Sequence, residues 1–440
     1  MFRRTSTLLA TALLASLVAV PATAHADDDG SRRLTGQRVA YFTQWSVYSG
    51  FSAKKVQDSG QAAKLTVLNY AFGNISPEGT CFEANQAGEG DAWADYQRPI
   101  GAADSVDGVA DTWDQPLKGS FNQLRKLKAK NPRLKTVISI GGWSWSKYFS
   151  DVAATDEARK KFVSSCIDLY IKGNLPQLGS LEGGPGTGAG VFDGIDLDWE
   201  HPGGGGLPDN AVRPEDGRNY TLLMAEFRRQ LDALSGKKRG QRYLLTAAVA
   251  ANTTIVDRLE LPKIARHVDF LNLMAYDLHG AWEPQGPTNH QANLYTDKAD
   301  PSGINNGYSA DRIVRHYLDR GLPAHKTVLG VPSWGYGWTG VPAGPRNGLY
   351  QPATGMSPRG SQLPYKAIKD LPGTVHNDFR HGGSWKYDGT EFWTFDTPEV
   401  AAQKARYTRH KGLGGVMVWS LDGDDEQGSL IAALDRGLRR

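Results

Sequence analysis

The sequence predicts an α/β fold, a (β/α)8 TIM barrel, from two observations. Eight short runs rich in β-branched and aromatic residues recur along the 440 residues, which is the pattern of buried strands. Helix-like or loop-like stretches separate these runs, and repeated strand and helix units form a parallel sheet. Eight such units at this length indicate a closed barrel, whose functional residues lie at the C-terminal ends of the strands.

The predicted strands and helices alternate along the chain. The strands are 38–42, 65–72, 135–142, 191–200, 243–250, 268–277, 327–332 and 414–419. The clearest amphipathic segments between them are 121–131, 158–172, 219–236 and 309–321. Two connections, about 73–120 and about 340–395, are longer than a plain barrel needs. The second is rich in Gly, Pro and Tyr and contains the strand-like run EFWTF. It therefore predicts a small subdomain inserted between strands seven and eight.

The N-terminus has the pattern of a removable signal peptide. Arg3 and Arg4 precede an apolar run of 13 residues, Leu8–Val20, and an A-x-A cleavage site ends at Ala26. The apolar run is well short of the ~20 residues that span a membrane, so we expect no membrane anchor. We predict a signal peptide over residues 1–26 and one secreted, extracellular catalytic domain over residues 27–440.

The charge balance excludes an electrostatic argument for nucleic acid or an anionic membrane as partner. The chain has 50 Lys and Arg against 47 Asp and Glu, and removal of the signal peptide takes away two of the arginines. A net charge near zero fits a neutral partner better. The 12 Trp and 17 Tyr suit a ligand with flat apolar faces, although for any single one of them a place in the core is the better explanation. We expect a monomer.

Cys81 and Cys166 are the only two cysteines. In an oxidising compartment an even number of cysteines favours a disulfide bond between them. Neither belongs to a CxxC motif or a Cys/His cluster, so the sequence favours neither a metal site nor a thiol nucleophile.

The fourth predicted strand, FDGIDLDWE, crowds four carboxyl groups into one short segment. Because side chains alternate along a strand, Asp196, Asp198 and Glu200 share one face, at ~7 Å per two residues. The apolar residues between them share the other face and would pack outward against helices. Glu200 is the last of the three and falls at the mouth of the barrel. Asp193 is out of phase, which indicates a structural role at the start of the strand.

Three neighbouring carboxyl groups in a partly dry interior cannot all be ionised, because each negative charge raises the pKa of the others and burial adds to the effect. The result is a protonated acid near neutral pH, which cleavage of a glycosidic bond requires for the leaving oxygen. A Ca²⁺ or Mg²⁺ site is the second interpretation. The rigid spacing on one strand does not wrap a cation as a loop does, and no histidine completes a ligand set. We therefore expect no metal and no cofactor.

Three motifs, each at the end of a predicted strand, resemble the signatures of glycoside hydrolase family 18, the chitinase family. The segment 192–202, FDGIDLDWEHP, is similar to D-x-x-D-x-D-x-E. Residues 139–142, SIGG, are similar to S-x-G-G, and residues 274–277, MAYD, to M-x-Y-D. The resemblance covers essentially the whole mature chain, and the insertion after strand seven resembles the α+β subdomain of the family's deep-groove branch.

The resemblance implies a role for each central residue. Glu200 would be the general acid, and no carboxylate of the protein would act as nucleophile, because the acetamido oxygen of the substrate attacks the anomeric carbon instead. Asp198 would bind the acetamido N–H and stabilise the oxazolinium ion, with Asp196 below it holding the alternate proton. Tyr276 would donate its hydroxyl to the acetamido oxygen and orient it for attack.

The resemblance also implies residues around this centre. Those expected to line the same subsite or to stack on sugar rings are Asp277, Met274, Trp419, Trp282, Trp143 and Trp45. Those expected to have structural roles are Ser139, Gly141 and Gly142, with Ser139 near Asp196. A cis peptide bond is implied between Trp419 and Ser420. Two positions depart from common relatives: Tyr336 stands where an arginine is usual, and Ser420 where a glutamate is frequent.

The expected function is therefore a secreted chitinase that hydrolyses β-1,4 bonds between N-acetylglucosamine units of chitin and chito-oligosaccharides with net retention. One alternative is a chitin-binding lectin on the same barrel, but such proteins usually lack the acidic glutamate, and Glu200 is present. Another is an endo-β-N-acetylglucosaminidase that acts on N-glycans. The inserted subdomain and the tryptophan-lined groove favour a long linear polymer instead.

Overall fold

The structure is a computed structural model that describes residues 1–2, 36–236, 242–302 and 308–439. The chain divides into Met1–Arg32 and one compact unit, Arg33–Arg440, to which all that follows refers. Residues 3–26 of the predicted signal peptide lie outside the described residues. Within the described ranges, no helix combines the length and the apolar character needed to cross a membrane.

Eight parallel strands close into a barrel, which confirms the predicted fold class. They are β1 (Gln37–Thr43), β2 (Val67–Ile75), β3 (Lys135–Gly141), β4 (Gly194–Asp198), β5 (Leu244–Val249), β6 (Phe270–Leu273), β7 (Thr327–Pro332) and β8 (Gly415–Trp419). Each strand pairs in parallel with the next one in sequence, and β8 pairs with β1. The C-terminal ends of all eight strands therefore meet at one mouth.

The helices pack outside the barrel. Side-chain N-caps mark the start of several of them. Thr155, Ser309 and Thr397 each accept a hydrogen bond from a backbone N–H in the first turn of the helix that follows. The longer helices are Gly119–Lys130, Asp156–Cys166, Asp216–Ser235, Ala310–Asp319, Pro398–His410 and Ser429–Arg439. The shorter ones are Ala53–Asp58, Gly142–Trp145, Phe149–Ala154, Thr253–Val256, Leu261–Ile264 and Tyr365–Ile368. Their apolar faces form one core with the outward side chains of the strands.

Strand β4 shows how this core orients the carboxyl groups. Its outward residues Ile195 and Leu197 are completely buried in the core between barrel and helices. The ring of Trp199 follows them and stacks on Phe149 at 5.4 Å. Because these apolar side chains are fixed outside the barrel, Asp196 and Asp198 must point inward.

The first long connection lies between β2 and helix Gly119–Lys130. Strand Cys81–Phe82 pairs antiparallel with β2, and a small hairpin, Asn85–Gln86 with Gly90–Asp91, follows. The structure joins Cys81 to Cys166 in a disulfide bond, which ties this connection to the end of helix Asp156–Cys166.

The second long connection folds into what we call the insertion subdomain, Trp334–Thr394. Its six antiparallel strands are Trp334–Thr339, Gly355–Met356, Gln362–Pro364, Thr374–Asp378, Gly383–Tyr387 and Phe392–Thr394. The short helix Tyr365–Ile368 belongs to it. The subdomain begins two residues after β7, earlier than the expected boundary near residue 340, because Trp334–Thr339 pairs with three of the other strands.

Candidate active site

A cleft of about 710 Å³ opens at the mouth of the barrel. Its walls come from the ends of β1, β2, β3, β4, β6 and β8 and from the insertion subdomain. The residues singled out in the sequence that line it are Trp45, Gly141, Trp143, Asp198, Glu200, Met274, Tyr276, Asp277 and Trp419. Others that line it are Gln44, Phe72, Gly88, Ser144, Trp145, Trp334, Tyr336 and Gln362.

Asp196 lies beneath the cleft, fully buried, and accepts hydrogen bonds at both carboxylate oxygens. Oδ2 accepts from the hydroxyls of Tyr41 and Ser139, each at 2.8 Å. Oδ1 accepts from the Thr246 hydroxyl at 2.5 Å and from Asn272 Nδ2 at 3.4 Å. Burial raises the pKa of Asp196, while these hydrogen bonds oppose the rise because they stabilise the ionised form. The donors occupy the places that a cation would need around this carboxylate.

Asp198 lies two residues further along β4, nearer the cleft, and differs from Asp196 in its hydrogen bonding. It is 3% exposed, and its Oδ1 has no hydrogen-bond partner among the described residues. Burial, with the negative charges of Glu200 and Asp196, raises the pKa of Asp198 well above its ordinary value. A buried acceptor without a partner is costly. Asp198 therefore either carries a proton or awaits a donor from a ligand.

Glu200 follows β4 directly and faces the cleft. Burial, together with the negative charge of Asp277, raises the pKa of Glu200 to about 7. The Glu200 backbone N–H donates to Ser146 Oγ at 2.9 Å, and its carbonyl oxygen accepts from Asn210 Nδ2 at 3.0 Å. Its carboxyl is consequently protonated below neutral pH and held by a fixed backbone, as a general acid requires.

His201 is the other titratable neighbour of Glu200, with Nε2 3.5 Å from Glu200 Oε2. Burial and the nearby charge of Arg258 lower the pKa of His201 to about 4. The imidazole is therefore neutral near pH 7 and adds no positive charge that would strip the proton from Glu200.

Tyr276 and Asp277 stand just beyond β6 and line the same cleft as Glu200. The ring of Tyr276 meets Trp334 edge to face at 5.0 Å. Asp277 adopts a left-handed backbone, φ 56°, which is uncommon for a residue other than glycine. Its side chain is open to the cleft, yet desolvation by the surrounding walls raises its pKa to about 6.

The aromatic residues of the cleft form a contiguous group around Trp419. The Trp419 ring stacks on Phe72 at 5.5 Å and touches Tyr41 at 5.1 Å and Trp45 at 6.4 Å. Trp45 and Trp143 are about half exposed, so their faces are free to meet a ligand. Rings with one buried edge and one open face are suited to stack on sugars.

Two glycines of β3 and the turn after it make room for this site. Both have positive φ, 107° at Gly141 and 74° at Gly142. A Cβ at Gly141 would collide with the carbonyl oxygen of Asp198, and one at Gly142 would lie 2.5 Å from the Phe72 ring. Any larger residue there would displace either the backbone at Asp198 or the aromatic ring of Phe72.

Two predicted residues lie away from the centre. Asp193, at the start of β4, accepts the backbone N–H of Thr136 at 3.0 Å and pairs with Lys128 at 2.7 Å. Trp282 is 56% exposed and does not line the cleft, but its ring contacts Tyr336 at 5.6 Å. Asp193 therefore belongs to the frame of the barrel, and Trp282 to the rim of the site.

Several residues of the site escaped the sequence reasoning. Ser146 fixes the backbone of Glu200, and Phe72 supports Trp419. Trp334 contacts Tyr276. Tyr336, which the sequence marked only as a departure from relatives, donates its hydroxyl to Asp277 Oδ1 at 2.8 Å. The tryptophans and glycines of WGYGW were a usable signal for the last two. Nothing in the sequence marked Ser146 or Phe72.

Three cis peptide bonds without proline, at Ala71–Phe72, Glu200–His201 and Trp419–Ser420, adjoin residues of the cleft. The cis bond at Trp419–Ser420 was implied by the family resemblance. Across the described ranges, the group whose spacing could hold a metal is Asp297, Asp378 and His381, none of which lines the cleft.

Comparison with known proteins identifies the family. The model for "Glycosyl hydrolases family 18" matches residues 37–424. Chitinase A1 of Niallia circulans is 37% identical over 457 residues, 95% of this chain and 60% of the relative. Chitinase 63 of Streptomyces plicatus is 36% identical over 414 residues, 91% of this chain and 60% of the relative. This chain thus spans about 60% of the length of these two proteins.

The same fold is present in the solved catalytic domain of psychrophilic chitinase B from Arthrobacter TAD20. The two share 46% identity with a TM-score of 0.88, over 93% of this chain and 96% of that one. The family match and these similarities agree with the three motifs and with the barrel. The chain belongs to glycosyl hydrolase family 18.

Proposed function

We propose that this protein is a chitinase that hydrolyses β-1,4 bonds between N-acetylglucosamine units by substrate-assisted catalysis. The observation that carries the proposal is the contrast among the carboxyl groups of Asp196, Asp198 and Glu200, which we call the carboxyl stack. Asp196 is saturated with donors, Asp198 has a buried oxygen with no partner among the described residues, and Glu200 retains its proton up to about pH 7. This arrangement offers one acid and one free acceptor rather than a nucleophile and an acid.

In the proposed reaction, Glu200 gives its proton to the glycosidic oxygen as the bond to the anomeric carbon breaks. The acetamido carbonyl oxygen of the same sugar attacks that carbon and forms an oxazolinium ion. Asp198 Oδ1 accepts the acetamido N–H, and the ionised form of Asp198, whose charge is costly before the cation forms, stabilises that cation. The Tyr276 hydroxyl donates to the acetamido oxygen and holds it in line. Water then opens the ring with Glu200 as base, so the β configuration is retained.

The aromatic residues that line the cleft indicate the class of substrate. The aromatic group around Trp419 offers a floor for the reacting sugar, and the open faces of Trp45 and Trp143 extend it along the cleft. The named chitinases among the similar proteins support a polymer of N-acetylglucosamine. A lectin would not need Glu200 held protonated, and the extended cleft suits a linear chain better than an N-glycan.

The same proposal includes secretion of the protein and its action as a monomer. The basic start, short apolar run and A-x-A site favour secretion, and a disulfide bond suits an oxidising compartment. We propose that the protein acts outside the cell as a monomer on chitin and chito-oligosaccharides, without nucleic acid or membrane as partner.

The test compares wild type, Glu200→Gln and Glu399→Gln on chitin hexamer, with product lengths and anomeric form recorded by NMR. Wild type should release shorter oligomers with a β anomer. Glu200→Gln should lose at least ~10³-fold in kcat while it still binds the hexamer, since the acid is gone but the walls are intact. Glu399 is exposed on a helix outside the cleft, so its variant should match wild type.

A second substrate separates the mechanism from its alternatives. A hexamer with a free amine in place of the acetamido group lacks the proposed nucleophile, so the bond after that unit should stay intact. Cleavage at that unit, an α anomer, or near wild-type turnover by Glu200→Gln would each contradict the proposal.

A further inference from the structure

The first strand of the insertion subdomain, Trp334–Thr339, touches two consecutive residues of the candidate site. Trp334 meets the ring of Tyr276 at 5.0 Å, and the Tyr336 hydroxyl donates to Asp277 Oδ1 at 2.8 Å. Because side chains alternate along a strand, Trp334 and Tyr336 lie on the same face. One face of this strand therefore contacts both Tyr276 and Asp277, the residues that follow β6.

Tyr336 is itself held in a defined position. Its side chain lines the cleft but is only 7% exposed, and its backbone pairs with Thr394 in the subdomain sheet. The Trp282 ring packs edge to face on it at 5.6 Å. Gly280 leaves the space for this packing, since a Cβ there would lie 2.8 Å from Trp282 and 2.9 Å from Tyr336. The hydroxyl is thus aimed at Asp277 by rigid neighbours.

Asp277, which accepts the hydrogen bond from Tyr336, depends on this donor for its orientation. Asp277 has a left-handed backbone, φ 56°, and its side chain is open to the cleft. Among the described residues, Tyr336 is the side chain with a hydrogen bond to its carboxyl. A carboxylate with a single fixed donor owes its orientation to that donor.

The neutrality of Tyr336 matters for Glu200, because Asp277 interacts with both residues. Desolvation and the nearby Asp277 raise the pKa of the Tyr336 hydroxyl far above neutrality, so Tyr336 is a neutral donor. Asp277 remains an anion at neutral pH, and its charge is one cause of the high pKa of Glu200. The other titratable groups that face these two carboxyls are Asp198, Tyr276 and the neutral His201.

We propose that Tyr336 is a positioning residue of the site: its hydroxyl orients Asp277, and its lack of charge leaves Asp277 as an uncompensated anion facing Glu200. Tyr336 acts through Asp277 and takes no part in bond cleavage. The insertion subdomain therefore tunes the acid that follows β4, Glu200, through a single side chain. The inference rests on the proposed function, because its effects are read from hydrolysis.

The first experiment measures kcat/KM against pH for wild type, Tyr336→Phe and Tyr336→Arg on a chromogenic chito-oligosaccharide. Tyr336→Phe should lower the plateau about tenfold, as expected for loss of one hydrogen bond to a charged acceptor. Tyr336→Arg should move the alkaline limb to lower pH by ~0.5 to 1, because a cation beside Asp277 offsets the charge that keeps Glu200 protonated. A structural defect alone would lower the plateau without moving the limb.

Tyr387→Phe is the matched control. Its hydroxyl belongs to the same subdomain but donates to the carbonyl oxygen of Val341 at 2.7 Å, and the residue does not line the cleft. The kcat/KM of this variant should have the same plateau value and the same alkaline limb as that of wild type. The inference is overturned if Tyr336→Phe behaves like Tyr387→Phe, or if Tyr336→Arg leaves the alkaline limb in place.

A double-mutant cycle keeps the test decisive if any single variant is poorly folded, which thermal unfolding will show. In the Asp277→Asn background, Tyr336→Phe should cost less than about twofold, because the acceptor it served is already neutral. A full tenfold loss in that background would show that Tyr336 does not act through Asp277. An inactive wild type, or an active Glu200→Gln, would instead contradict the proposed function.

Discussion

Glu200 should destabilise the folded protein at neutral pH, so Glu200→Gln should be more stable than wild type there. The reason is linkage between protonation and folding. The carboxyl titrates at about 7 in the folded protein against an ordinary value of 4.5, because burial and the charge of Asp277 disfavour its ionised form. Between pH 4.5 and 7 the folded state keeps a proton that the unfolded chain has released. Wild type therefore loses stability as pH rises through that window.

The magnitude follows from the two pKa values. A change of one pH unit over this window corresponds to ~1.4 kcal/mol, so the gap between 4.5 and about 7 sets an upper bound of ~3.5 kcal/mol. The side chain of Glu200 is 15% exposed at the mouth of the cleft, and solvent there screens part of the effect. We expect Glu200→Gln to gain about 1–3 kcal/mol above pH 7, relative to its difference from wild type at pH 4.5.

Urea unfolding of both proteins at several pH values between 4 and 8, with the disulfide intact, provides the measurement. Glu226→Gln is the control with the opposite sign, because hydrogen bonds from Arg229 lower the pKa of Glu226, so that carboxylate stabilises the fold above its unfolded pKa. Relative to wild type, its variant should lose stability only as pH rises to about 4.5, and the difference should then stay constant up to pH 8. A difference between Glu200→Gln and wild type that is the same at pH 4.5 and pH 8 would refute the reasoning.

Three further predictions concern the frame of the site. Gly141→Ala should destabilise the protein by at least ~2 kcal/mol in urea unfolding and reduce kcat, because the new Cβ would strain a positive φ and collide with Asp198; unchanged kcat would contradict this. Replacement of Cys81 and Cys166 by serine should cost about 3–5 kcal/mol of unfolding free energy, given a sequence separation of 85 residues; an equal midpoint in urea would argue against it. Dialysis against a chelator should leave hydrolysis unchanged, and a strong loss restored by Ca²⁺ or Mg²⁺ would revive a metal role for the carboxyl stack.

The barrel could be predicted because its strands carry strong local signals, but two strand ends could not. The sequence extends the fourth strand to residue 200 and the sixth to residue 277, whereas β4 ends at Asp198 and β6 at Leu273. Glu200, Tyr276 and Asp277 leave the strand geometry in order to face the cleft. The apolar alternation continues past the point where pairing stops, so periodicity alone cannot locate that point.

The start of the insertion subdomain was missed for a different reason. The three aromatic residues of WGYGW favour a strand, but its two glycines weaken that signal. Trp334–Thr339 nevertheless pairs with three strands that are distant in sequence, and Gly337 lies against the ring of Trp393, where a Cβ would not fit. Tertiary packing here outweighs local preference, and no local rule would have shown that Tyr336 reaches Asp277.

The carboxyl stack shows most clearly what spacing predicts and what it does not. Alternation along β4 placed Asp196, Asp198 and Glu200 on one face, but spacing treats them as equivalent. The structure makes them unequal, because Tyr41, Ser139, Thr246 and Asn272, which lie on four different segments, all donate to Asp196. A negative charge is therefore less costly on Asp196, at the bottom of the stack, than on Asp198 above it. Protons favour the upper positions for this reason, and the acid at the cleft stays able to donate.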